Sequence, residues 1–199
     1  MPGDDPASAS AHPYGKRYLA LLRGINVGGK NLIKMPALKA CFENHGFTDV
    51  ATYIQSGNVL FQSTESNLER LTNDIEKALS DEFKYASRVV VVSHEQLKAA
   101  VQRAPKGFGT NPAEYRYDVL FLKTPLTADE AMKSITTKPG VDEVWAGKRV
   151  VYFSKLISKA SQSYLTRIIG LPIYQSMTIR NWNTTTKLLA LMDAGAENQ

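Results

Sequence analysis

The chain has 199 residues, 43% of them hydrophobic and 22% charged, with a formal net charge of +5. That balance supplies enough apolar surface for one large domain or two small packed ones, and it excludes a wholly disordered polymer. The one cysteine, Cys41, rules out an intrachain disulfide, so a secreted disulfide scaffold is excluded and a reducing cytoplasm is the expected compartment.

Met1 to Gly15 is rich in Pro, Ala, Ser and Gly and lacks the apolar run of a signal peptide, so it reads as a disordered tail; Ala194 to Gln199 reads the same way. Tyr18 to Leu22 is a short apolar run with the look of a buried strand. Met35, Leu38, Phe42 and His45 recur at helical spacing, with Pro36 in the first turn and Gly46 at the stop. Val50 to Ile54 alternates as a strand, Gln55 to Asn58 carries turn chemistry, and Val59 to Phe61 opens the return strand. Ser66 with Glu69 forms a capping-box pattern ahead of the amphipathic series Leu68, Leu71, Ile75 and Leu79. Ser87 to Val92 holds four consecutive valines, the mark of a strand buried on both faces. Ser93 with Gln96 caps a further helix along Leu97, Ala100 and Val101.

Pro105 to Asn111 interrupts the pattern, and the order then partly repeats. Val119 to Leu122 is a strand, and Thr127 with Glu130 caps a short helix. Val141 to Trp145 and Arg149 to Phe153 make a hairpin. Ile157 to Ile168 suggests a helix stopped by Gly170 and Pro172, and a last helix follows Asn183. The expected fold is α+β: two tandem ferredoxin-like halves at 16–104 and 118–193, packed into one body and joined by a connection at 105–117.

No stretch approaches the roughly 18 apolar residues of a bilayer span, so no membrane partner is expected. The charge is unevenly spread. Pro6 to Phe42 contains six bases and no acid, Val144 to Met192 seven bases and no acid, and Glu43 to Glu143 fifteen acids against eleven bases. If folding brings the two basic stretches together they form a positive face that attracts anions; apart, they only solvate the surface.

Gly24 to Lys30 satisfies the G-x-x-x-x-G-K spacing of a phosphate loop after a strand. Asn31 stands where a magnesium-binding hydroxyl belongs, the next helix starts late, and no strand ends in a magnesium-binding Asp. These features argue against a nucleotide-hydrolysing loop and leave a looser anion-binding loop, or a plain glycine-rich connection. Arg23, Gly24, Asn26, Gly28, Gly29, Lys30 and Asn31 are its candidate ligand-binding residues. Gln55, Ser56 and Asn58 join them if the turn lies alongside, the alternative being an ordinary hairpin. Ser154 and Lys155, at the end of a strand, offer a donor and a cation. Arg180 and Asn181 read as free to meet a ligand, whereas Asn183 reads as an N-cap and Trp182 as core.

Cys41 lies on the apolar face of a helix and reads as a buried, inert thiol. His12, His45 and His94 are not at ligand spacing, so no metal site is expected. Glu43, Asp49, Asp118 and Asp142 sit at the ends of elements without evident pairing. Tyr18 and Phe61 could serve as base-stacking aromatics of an RNA-recognition sheet, although the RNP1 pattern is missing.

Three groups of residues carry a resemblance: Tyr18 to Lys30 (YLALLRGINVGGK), Thr52 to Val59 (TYIQSGNV), and Ser154-Lys155 together with Thr178 to Thr184 (TIRNWNT). In this order, from about Arg17 to Met192, they resemble the family called "domain of unknown function 1697", found widely in bacteria. The resemblance implies an α+β fold with a ferredoxin-like relationship and implies no activity. The resulting expectation is a protein that binds an anionic or phosphorylated small molecule in a cleft formed by the Arg23–Asn31 loop and the Arg180 segment. The alternatives are nucleic-acid binding through a basic face, an enzyme of phosphoryl or nucleotidyl transfer, and a protein-interaction module. Cofactor and oligomeric state are left open.

Overall fold

The computed structural model describes residues 15–26 and 31–197. Most of the expected N-terminal tail, the final two residues and Val27 to Lys30 lie outside that range, and with them the candidate residues Gly28, Gly29 and Lys30.

The chain forms two four-stranded antiparallel sheets, each with its helices. The first half runs β1 (Lys16–Leu22), α1 (Met35–Asn44), β2 (Thr48–Tyr53), β3 (Asn58–Ser63), α2 (Leu68–Phe83), β4 (Val89–Ser93) and α3 (His94–Gln102). Its strand order is β2-β3-β1-β4. The second half runs β5 (Tyr115–Leu122), α4 (Ala128–Ser134), β6 (Asp142–Ala146), β7 (Val150–Leu156), α5 (Leu165–Ile168), β8 (Met177–Asn181) and α6 (Trp182–Glu197). Its order, β6-β7-β5-β8, repeats that of the first half.

The unbroken apolar runs of β1 and β4 follow from burial of both sheet faces, since alternate residues of a strand point to opposite sides. Tyr18, Ala20, Leu22, Val89 and Val91 pack beneath α1 and α2, with Leu38, Phe42, Leu71 and Ile75. Leu19, Leu21, Val90 and Val92 face the other way, into a central core that also takes Val119, Phe121 and Tyr152 from the second sheet. Leu97 of α3 and Leu188 and Met192 of α6 complete that core. The far face of the second sheet, with Leu120, Leu122, Val151 and Phe153, is covered by Ala131 of α4 and by Leu165 and Ile168 of α5.

The capping boxes at Ser93/Gln96 and Thr127/Glu130 form as expected. The one at Ser66 does not: Asn67, one residue later, caps α2 by accepting from the N–H groups of Glu69 and Arg70. The helix expected over Ile157 to Ile168 is instead a 3-10 segment at Ile157–Gln162 with a kink at Lys159, followed by a single α-turn. Met177–Asn181, dense in hydrogen-bonding side chains and not marked as a strand by any local pattern, is the edge strand β8. Ser154 and Lys155 are among the last three residues of β7, with Leu156 following. Asp118 is interior to β5, and β5 begins at Tyr115, inside the expected connection. Ala194 to Glu197, expected as tail, continue α6.

Among the described residues no helix is long and apolar enough to cross a membrane, and no group of His, Cys, Asp and Glu could hold a metal ion.

Candidate functional site

The described candidate residues fall into two places. The first is where β1 leaves its sheet and meets the turn after β2. Here Asn26, at φ +53°, folds the loop back on itself. Its Nδ2 donates to the carbonyls of Ile33 (3.0 Å) and Gln55 (2.9 Å), and its Oδ1 accepts from the Ile33 N–H (2.8 Å). Asn31, also left-handed at φ +47°, donates to the Gly24 carbonyl at 3.0 Å. Asn tolerates this conformation because its short side chain bonds locally to the backbone. These amides are therefore engaged in holding the loop. Arg23 reaches the second half: it donates to the Tyr174 carbonyl (2.6 Å) and Gln175 Oε1 (3.0 Å), with its guanidinium 4.8 Å from the Tyr174 ring centroid.

Arg180 is at the same place but is not free. It is 7% exposed. From β8 its Nε donates to Asn58 Oδ1 (2.6 Å), and its Nη2 to the carbonyls of Leu22 (2.7 Å), Ser56 (3.1 Å) and Gly57 (3.2 Å). Its Nη1 bonds Thr178 Oγ1 (2.8 Å) and the Ile179 carbonyl (3.0 Å). Asn58, fully buried, spends its Nδ2 on the Tyr53 carbonyl and Ser56 Oγ. None of these acceptors is a carboxylate, and burial pushes the guanidinium down to about 10. The reading of Arg180 as a ligand cation thus gives way to a buried strut between the halves. Its neighbour in sequence faces the other side of the sheet, as strand alternation requires. Gln55 alone of the turn's three candidates presents an exposed side chain with no hydrogen bond among the described residues.

Asn181 and Lys155 belong to the second place, a cleft of about 390 Å³ between the start of β5, the end of β7 and the first residues of α6. Tyr115, Trp182, Ile157 and Ala160 give it apolar walls, and Arg116 and Lys155 give it two cations. Register brings the cations together, since Arg116 of β5 lies directly opposite Lys155 of β7. Asn181 Oδ1 accepts from the Asn183 N–H at 3.0 Å, so Asn181, not Asn183, caps α6, while its Nδ2 donates to the Tyr117 carbonyl. Ser154 is buried in β7 opposite Tyr117 and does not line the cleft.

Behind the cations lies Asp118, 2% exposed and paired across the strands with Asn181. Arg116 Nε lies 3.4 Å from its Oδ2, an ion-pair distance without hydrogen-bond alignment, so that Oδ2 has no hydrogen-bond partner among the described residues. Burial raises the Asp118 pKa, and the charges of Arg116 and Lys155 oppose the rise. Sequence reasoning did not find Arg116, Asp118, Tyr115 or Trp182 as a site. The i, i+2 spacing of Arg116 and Asp118, which puts both on one face of a strand, was the available signal.

The aromatics Tyr18 and Phe61 stack on each other, ring centroids 5.7 Å apart, at 2% exposure each under α1 and α2. They are closed to a nucleic-acid base. Cys41 is buried, and burial pushes its thiol up to about 11, in keeping with an inert core residue.

No curated protein matches the chain. Among solved structures, the conserved bacterial protein SP0830 from Streptococcus pneumoniae is similar, at 28% identity and a TM-score of 0.78, over 89% of this chain and 98% of that one. A family model matches residues 16–152, a span that holds the Tyr18–Lys30 and Thr52–Val59 segments and ends just before Ser154. The chain belongs to the family described as Protein of unknown function (DUF1697).

Proposed function

We propose that the protein binds a small anionic ligand, and that the ligand sits in the cleft of Arg116, Lys155 and Asn181 rather than against the Arg23–Asn31 loop. The observation that carries this reading is the pairing of Arg116 with Lys155 in the lining of a cleft of about 390 Å³, which also takes in the first residues of a sixteen-residue helix. One guanidinium and one ammonium donor beside a helix N-terminus attract carboxylate or phosphate. The apolar walls suit an organic body attached to that anion. At the loop, by contrast, Arg180, Arg23, Asn26 and Asn31 already spend their donors on the protein itself.

The test is thermal unfolding with a panel of small phosphates and carboxylates and with short oligonucleotides at two salt concentrations. A ligand at 100 times its Kd stabilises the native state by about 2.7 kcal/mol. The expected result is a shift with a small anion that the Arg116→Ala, Lys155→Ala double variant loses. A shift with oligonucleotides alone, fading steeply with salt, would transfer the reading to a nucleic-acid face.

We also read each half as ferredoxin-like, with the halves at 16–104 and 118–193. In support are the β-α-β-β order and the shared all-antiparallel 2-3-1-4 strand arrangement. A cytoplasmic location accords with the lone buried thiol.

A further inference from the structure

The cleft of Arg116 and Lys155 has an aromatic wall as well as two cations. Trp182, the first residue of α6, is half-buried there, and its indole N–H makes no hydrogen bond among the described residues. Phe108 meets its ring edge-to-face, with centroids 5.1 Å apart and planes at 88°. An added Cβ on Gly109 would collide with the indole, so the connection between the halves lies close against the ring and holds it in place. Tyr115, also half-buried in the lining, leaves its hydroxyl without a partner among the described residues. Ile157, in the same lining, is 47% exposed. The lining holds no carboxylate, and Lys155 has neither hydrogen bond nor ion pair among the described residues. Apolar surface gathered in a concave site beside a few polar groups is the pattern of a ligand pocket, and a volume of about 390 Å³ falls in the usual range of roughly 300–1,000 Å³.

Resting on the anionic-ligand reading, we propose that the cleft takes a planar aromatic ring joined to an anionic group, with the ring against Trp182 and Tyr115 and the anion between Arg116 and Lys155. The cations by themselves would accept any small anion, inorganic phosphate included. The aromatic wall is what discriminates among anions. Trp and Tyr carry large rings on only two side-chain torsions, so they offer a flat surface at little loss of freedom. A ring laid on that surface gains the quadrupole attraction of an aromatic pair in addition to the burial of its area, whereas an aliphatic chain gains the burial alone. Nucleoside monophosphates and aromatic carboxylates share this chemistry. They differ in charge, about −2 against about −1 at neutral pH, and in the distance from ring to anion. Asp118, buried behind the cations and outside the lining, meets no part of the ligand.

The experiment titrates the full chain calorimetrically with two matched pairs: adenosine 5′-monophosphate against ribose 5-phosphate, and 3-phenylpropanoate against 3-cyclohexylpropanoate. The second member of each pair keeps the anion and lacks the aromatic ring. In at least one pair the aromatic member should bind roughly five-fold to a hundred-fold more tightly, the usual worth of stacking on an aromatic side chain, and the pair that shows it names the source. The chain has two tryptophans, so in a Trp145→Phe background the same ligand should change the fluorescence of Trp182. Trp182→Leu should lose the advantage while the ring-free member binds as before. Equal or weaker binding of the aromatic member in both pairs overturns the aromatic inference and leaves the anion reading standing. An advantage that survives Trp182→Leu puts the ring elsewhere and overturns the inference as well. Binding of a short oligonucleotide, but of none of the four, overturns the small-ligand class. Failure of every anion, inorganic phosphate included, overturns the anion reading itself. Because the wild-type comparison needs no variant, an unfolded Trp182→Leu does not protect the idea.

Discussion

Single side chains carry much of the connection between the halves. Arg180 bonds to six acceptors at once, and Asn58 Oδ1 and the Leu22 carbonyl are among the buried groups it serves. Arg180→Met would strand those acceptors in the interior, where each lost partner costs roughly 1–3 kcal/mol, so a loss of about 3 kcal/mol or more is expected in urea unfolding. Lysine cannot reproduce the planar fork and should recover only part of it. Gly57 is constrained twice. Its φ is +77°, and an added Cβ would lie 2.7 Å from Ile25 Cδ1 and 2.8 Å from Leu22 Cβ. Gly57→Ala should therefore cost about 2 kcal/mol, read as a lowered denaturation midpoint. Asp118 acts in the opposite sense. Its folded pKa is raised, chiefly by burial, so its contribution to stability is present below the unfolded carboxylate pKa and lost as pH rises through the folded one. Asp118→Asn should thus melt higher than the wild type at pH 7, and the difference should shrink as pH falls toward the ordinary Asp value of about 3.9.

At the scale of elements, short-range signals were readable wherever chemistry and geometry are local. The Ser93/Gln96 and Thr127/Glu130 boxes were legible because a capping box involves residues only three apart. Ser66 was misread in favour of Asn67 because both residue types cap helices and only the chain's entry path decides between them. The two positions make a matched test. Ser93→Ala should cost about 1 kcal/mol, and Ser66→Ala should fall within about 0.5 kcal/mol of the wild type in chemical denaturation. β8 was missed for a different reason. Its residues Thr178, Arg180 and Asn181 look like loop residues, and they are in a strand because β5 pairs with them and because Asn58 and Tyr117 use their side chains. No local pattern predicts such an override.

For the whole molecule, the central core is decisive. Leu19 and Val90 of one sheet share it with Val119 and Phe121 of the other, and polar ties reinforce it. Tyr152 donates to the Ala100 carbonyl at 2.6 Å, and Lys123 pairs with Glu76 at 2.8 Å. Neither half can expose its face of this core without a large loss of apolar burial. One cooperative unfolding transition is therefore expected, and Phe121→Ala, which lies in the second half, should lower it by about 3–5 kcal/mol without splitting it, with tyrosine fluorescence and circular dichroism changing together. Separate transitions for the two probes would sink this view.

What the sequence determined by itself is the class of the molecule: the alternation of strands and helices, the repeat of that order, the inert buried cysteine and the family. These follow from periodicity, capping and composition, which act over a few residues. The tertiary structure alone decided which polar residues are free. Arg180 and Asn181 are adjacent in sequence, yet strand alternation sends one into the junction between the halves and the other to the cleft. Arg116 and Lys155, thirty-nine positions apart, become neighbours only through the β5–β7 register. A side chain's availability depends on what the rest of the chain places against it, and that is a long-range property that no local pattern encodes.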